Sequence, residues 1–172
     1  MPQQHFGNVH LYTGDGFGAR EAALGVALRA LGHGYRVQII QFLQDNPENG
    51  ESKLQQQLSP LSVVTFSRPD VTVDHPRPED MFLAAEGLNY ARRVLQSSDR
   101  PDIMILDNLN PAVYHGHLDL QDVLDFVDNT PNNVEVLLTG HPSHDALLPF
   151  CQVVTEHRRI KQVDGLGKGI AH

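Results

Sequence analysis

The chain has 172 residues, of which 40% are apolar and 20% charged, with a formal net charge of -8 and a single cysteine, Cys151. This suits one globular domain with a sizeable core, excludes an intrachain disulfide, and argues against non-specific nucleic-acid binding, which relies on clustered Lys and Arg. No apolar run approaches the roughly 20 residues of a membrane span, and the opening MPQQHFGNVHLY lacks the basic start and apolar run of a secretion signal, so the expectation is a soluble, cytoplasmic protein without membrane or nucleic-acid partners.

Strand-like and helix-like segments alternate along the chain. Asn8 to Thr13 (NVHLYT) reads as a strand that runs into the glycine-rich turn Gly14-Asp15-Gly16-Phe17-Gly18. The following REAALGVALRALGHG places Ala22, Ala23, Val26, Ala27, Ala30 and Leu31 at helical spacing, with Gly32 and Gly34 as its stop. Tyr35 to Leu43 is a second strand, Asp45 to Glu51 a polar loop, and Leu61 to Phe66 a third strand. Pro69, Pro76 and Pro78 make the stretch from Ser67 to Glu79 irregular, with Pro78 suited to the first turn of a helix over about Glu79 to Gln96.

Ile103 to Leu106 (IMIL) is an unbroken apolar run ending in Asp107, the pattern of a strand buried on both faces of a parallel sheet. Leu120 to Val127 reads as a helix capped by Asp119, Val134 to Thr139 as a fifth strand ended by Gly140, and Ser143 to Phe150 as a short helix capped by Ser143. Val153 to Glu156 is a last strand before the basic, glycine-rich RRIKQVDGLGKG. The prediction is an α/β fold whose mainly parallel sheet is covered by helices on both faces. Ligands of such sheets bind beyond the C-terminal strand ends, so the glycine turn and the loops after Asp107 and Thr139 should share one crevice.

A strand, a glycine-rich turn and a helix N-terminus together favour an anion, because backbone N–H groups converge there and the helix dipole adds about half a positive charge. Nucleotide sites add a Lys for the outer phosphates and a Ser or Thr for Mg²⁺. Here Ala19, Arg20 and Glu21 follow Gly18, and the Glu21 carboxylate would repel phosphate at close range. The same glycines also suit a tight turn that binds nothing, and the turn alone does not choose between the two.

Three stretches carry a wider resemblance: HLYTGDGFGAREAALGVALRALGHGYRVQIIQFL, PDIMILDNLNPAVYHGHLDLQDVLDFV, and PNNVEVLLTGHPSHDALLPFCQVVTEHRRIK with the closing GKGI. In order and spacing the chain resembles the corrinoid adenosyltransferases, which transfer the adenosyl group of ATP to a Co(I) corrinoid. The resemblance implies a phosphate-loop, RecA-like sheet, a homodimer, and ATP, Mg²⁺ and a corrinoid as ligands. The family's loop resembles TG(D/N)GKGKTTAA. Thr13, Gly14, Asp15, Gly16, Gly18, Ala22 and Ala23 match it, whereas its two lysines and two threonines fall at Phe17, Ala19, Arg20 and Glu21. Asp107 matches the first of two family acids and Asn108 replaces the second. Gln41 and Phe42 match, with Gln44 where the family has Lys; His141 stands where the family has Arg after Thr139-Gly140. The family's Phe and Trp after strand three have no counterpart in RPDVTVDHPRPED. Glu156, Arg158 and Lys161 are polar matches in the last segment.

The candidate cofactor-binding residues are therefore Thr13, Gly14, Asp15, Gly16, Gly18, Arg20, Gln41, Asp107, Arg158 and Lys161, and no catalytic residue is nominated. A candidate metal set is Asp107 with His115, His117, His141 and His144, should the loops after Asp107 and Thr139 meet, since imidazoles suit Zn²⁺ or Cu²⁺; the alternative is ordinary loop histidines. Cys151, beside Phe150, reads as core. Three functions stay open: a non-catalytic relative acting as a binding, regulatory or assembly protein for a partner the sequence does not name; an active adenosyltransferase using Arg20 and tail residues; and a binder of a different small anion without Mg²⁺.

Overall fold

A computed structural model describes residues 7–15, 18–44 and 49–161. Six parallel strands, β1 (Val9–Thr13), β2 (Val37–Phe42), β3 (Leu61–Phe66), β4 (Ile103–Asp107), β5 (Glu135–Thr139) and β6 (Val153–Glu156), form one sheet in the order β3-β2-β4-β5-β1-β6. The glycine-turn strand β1 and the Asp107 strand β4 are thus separated by one strand, β5.

The side-chain alternation of the strands sorts the core into two layers. Val37, Ile39, Ile103, Ile105 and Leu137 face helix α1 (Ala19–Gly32), which meets them through Ala23, Ala27 and Ala30. Small side chains at that spacing let the helix lie close to the sheet. Leu11, Ile40, Phe42, Met104, Leu106, Val136 and Leu138 point the other way, against α3 (Pro78–Gln96), α4 (Leu109–Tyr114) and α5 (Leu120–Asp128). Each such fully buried aliphatic or aromatic side chain is worth about 1.5–3 kcal/mol of transfer free energy, so the IMIL run anchors both layers at once. Gly87 of α3 is needed for closeness, since a Cβ there would stand 2.8 Å from the Phe42 ring.

Several expectations hold: Pro78 opens α3, and Asp119 caps α5 by accepting from the Gln121 and Asp122 N–H groups. Others are corrected. Glu51, expected in a loop, lies in the short helix α2 (Gly50–Leu54), because Asn49 caps it by accepting from Ser52 N–H at 2.9 Å. Helix α4 was not expected; its proline, Pro111, falls in the first turn, where no N–H is required. The segment Asp145–Phe150 is a 3₁₀ helix capped by His144, not Ser143, with His144 Nδ1 accepting from Ala146 N–H at 3.2 Å. Gly16 and Phe17 of the predicted turn, and the GKGI match, lie outside the described residues. No helix among the described residues is long and apolar enough to cross a membrane.

Candidate functional site

The parallel sheet brings the ends of β1, β4 and β5 together as expected. The buried Asn110 side chain donates to the Tyr12 carbonyl at 3.1 Å and to the Gly140 carbonyl at 2.9 Å, and Asn108 N–H donates to Thr139 Oγ1 at 3.1 Å. Asn108 takes a left-handed φ of 60°, which Asn tolerates better than most residues. The end of β1 and the segments after β4 and β5 are therefore tied together by hydrogen bonds.

Asp107, the last residue of β4, is only 1% exposed. Its Oδ1 accepts from Thr139 Oγ1 at 2.9 Å and its Oδ2 from Gln41 Nε2 at 3.4 Å. Arg20, on the first turn of α1, brings its Nε to 2.9 Å from Oδ2, and its Nη2 lies 3.4 Å from Glu51 Oε1 on α2. These are ion pairs without hydrogen-bond alignment. Burial pushes the Asp107 carboxyl above the usual carboxylate range; the Arg20 charge and the Thr139 hydrogen bond pull the other way. The Gln41 Oε1 accepts from Asn49 Nδ2 at 3.1 Å and from Thr65 Oγ1 at 2.9 Å. One network thereby joins β2, β3, β4, β5, α1 and α2.

The glycine turn is held from two sides. Glu21 accepts a hydrogen bond from Gly18 N–H at 2.9 Å, the reach-back half of a capping box. From the end of β6, His157 N–H donates to the Thr13 carbonyl at 2.7 Å, and Arg159 N–H donates to Asp15 Oδ1 at 3.1 Å. The Arg159 side chain also donates to the Asp15 carbonyl, with Nε at 3.0 Å. The Arg159 backbone hydrogen bond is the leading reason the Asp15 carboxyl sits below its ordinary range. Thr13 Oγ1 and His157 Nε2 are enclosed there with no hydrogen-bond partner among the described residues.

Of the predicted site residues, Thr13, Asp15, Gly18, Arg20, Gln41 and Asp107 take part in the hydrogen bonds and ion pairs above, Gly14 lies against the His157 backbone, and Gly16 lies outside the described residues. Arg158 and Lys161 are exposed, and it is Arg159 that reaches the turn. The proposed metal group does not assemble: no three His, Cys, Asp or Glu among the described residues are placed to hold an ion. His117 is buried with Nε2 2.9 Å from the Val73 carbonyl, His115 pairs with Asp74 at 3.2 Å, and His144 caps the 3₁₀ helix. Asp107 has Arg20 as its charged partner instead. Sequence reading missed Glu51, Thr139, His157 and Arg159. Thr139 carried a signal as the last residue of a predicted strand beside a glycine; Glu51 and Arg159 carried none, because their partners lie far away in the chain.

The family model for ATP:corrinoid adenosyltransferase BtuR/CobO/CobP matches residues 5–170 of this chain. The chain is 32% identical over 167 residues to the corrinoid adenosyltransferase of Escherichia coli (strain K12), covering 96% of this chain and 83% of that protein. It is 29% identical, with the same coverage, to the corrinoid adenosyltransferase CobA of Salmonella typhimurium. It is 28% identical over 156 residues to that of Pseudomonas aeruginosa, covering 90% of this chain and 76% of the relative.

Proposed function

We propose that this chain, which belongs to the ATP:corrinoid adenosyltransferase BtuR/CobO/CobP family, is a non-catalytic member acting as a binding, regulatory or assembly protein. The observation that carries the reading is the Glu21 carboxylate on the Gly18 N–H. A phosphate loop leaves its N–H groups at the helix N-terminus for the ligand's oxygens. Here the chain supplies its own anion to that position, and Ala19, buried at 6% exposure, brings no cationic head.

Mg²⁺ does not fit this arrangement. It needs near-octahedral oxygen ligands and a free negative charge, and the Asp107 carboxylate already faces the Arg20 guanidinium at 2.9 Å. Displacing triphosphate requires preorganised positive charge, and losing one such donor costs roughly 10²–10³ in rate. Several are replaced here at once.

A second reading, an active enzyme transferring the 5′-deoxyadenosyl group of ATP to a Co(I) corrinoid, is favoured by the similarity across 96% of the chain to a corrinoid adenosyltransferase. Calorimetry with Mg·ATP followed by an adenosylation assay with reduced corrinoid separates the two. Neither binding nor turnover is expected; micromolar binding accompanied by turnover establishes the second reading instead.

A further inference from the structure

We propose that the Arg20 guanidinium is the resident counter-ion of the crevice, seated between Asp107 and Glu51 where a divalent cation would otherwise bind, so that the chain excludes divalent metal from its own glycine-turn site. The inference deepens the reading above and rests on it. Its test uses metal alone, without nucleotide or corrinoid, so its failure and the failure of that reading are distinguishable.

The geometry is that of one cation between two carboxylates. Arg20 Nε stands 2.9 Å from Asp107 Oδ2 and Nη2 3.4 Å from Glu51 Oε1. The two acids come from different elements, the end of β4 and the start of α2, and their sequence positions do not pair them. Asp107 is too buried to remain charged without a nearby cation. Its other neighbours, Thr139 and Gln41, donate hydrogen bonds to it but bring no positive charge.

Arg20 is held as well as charged. It rides on the first turn of α1, whose N-terminus is fixed by Glu21 on Gly18 N–H, and its far side meets α2, which is anchored to Gln41 through Asn49. A guanidinium is effectively always protonated and cannot dissociate from the chain. A metal ion competing for Asp107 must displace a tethered cation and leave that cation beside it, so like charges oppose the exchange. Glu51 thereby supplies, from α2, a second acid for the guanidinium where Asn108 follows Asp107.

The test is Mn²⁺ titration followed by water-proton relaxation and electron paramagnetic resonance. The wild-type protein is expected to show no stoichiometric Mn²⁺ site. Arg20→Thr, checked for folding by circular dichroism, is expected to bind one Mn²⁺ at least tenfold more tightly than wild type. Adding Glu51→Gln to it should return that affinity towards wild type, and Arg20→Lys, which keeps a tethered cation, should show no gain. One Mn²⁺ per wild-type chain that is lost on Asp107→Asn overturns the proposal. So does a folded Arg20→Thr protein with no gain in Mn²⁺ affinity. If Arg20→Thr does not fold, Arg20→Lys and the wild type decide: no site in either supports the tethered cation, and a site in either that depends on Asp107 overturns it.

Discussion

Gly14 and His157 lie backbone against backbone, so that a Cβ on Gly14 would stand 2.1 Å from the His157 carbonyl oxygen. The contact lets the end of β6 brace the turn after β1, and it coincides with a φ of +117° at Gly14. Gly14→Ala meets both a steric clash with main chain and a disfavoured backbone region, costing at least about 2–4 kcal/mol. Gly25, in α1, has an ordinary helical backbone and open space where a Cβ would stand, with nothing within 4 Å. Gly25→Ala is expected to stabilise by about 0.5–1 kcal/mol through helix propensity. Urea unfolding of the two variants should move the midpoint in opposite directions.

Glu21 holds the start of α1 through Gly18 N–H in an exposed position. Glu21→Ala removes that hydrogen bond and a carboxylate at the positive end of the helix, which predicts a loss of about 0.5–1.5 kcal/mol. The loss should appear as a lower urea midpoint with an unchanged m-value, because the surface exposed on unfolding is nearly the same.

Glu135, at the start of β5, accepts from the Gly7 and Asn8 N–H groups at 3.0 and 3.1 Å and meets His10 Nε2 at 2.5 Å. Burial alone would raise its carboxyl, but the His10, Asn8 and Gly7 hydrogen bonds outweigh burial and hold it below the ordinary range. A depressed carboxylate gives stability that is fully present above its unfolded pKa, about 4.3 for Glu. That stability is lost as pH falls through the lower folded value. Glu135→Gln should therefore flatten the acid limb of ΔG against pH, with the wild-type advantage present above about pH 4.3 and disappearing below it. Denaturation midpoints across the acid range, from about pH 2.5 to about pH 6, measure this.

Cys151 donates its thiol to the Leu147 carbonyl at 3.2 Å, and burial pushes its pKa up to about 11. The thiolate is the reactive form, so alkylation at about pH 8 should run on the order of 100-fold slower than for a free cysteine peptide. Urea above the unfolding midpoint should abolish the difference. Rapid labelling of the folded chain would show instead that Cys151 is an available thiol.

The sheet was legible because its signals are local. Ile103 to Leu106 is apolar at every position, as suits a strand covered on both faces, and the alanines of α1 repeat at helical spacing. Helix α2 was not legible, because a five-residue helix after a polar segment has too few periodic positions to outweigh its loop-forming composition. The histidines misled for a related reason: spacing shows that two residues are close in the chain, but not whether Val73 or Asp74 will approach first.

Sequence alone determined the alternation of strands and helices that makes an α/β sheet, and the glycine-rich turn between β1 and α1. Local periodicity and residue size suffice for those features. Tertiary structure decided which charges meet. Arg20 and Asp107 are far apart in the chain, and Glu51 belongs to a third element; their mutual distances depend on strand order and on the seat of α2. A charge's partner is set by three-dimensional distance and by the water excluded around it, and neither quantity is written in the spacing of residues along the chain.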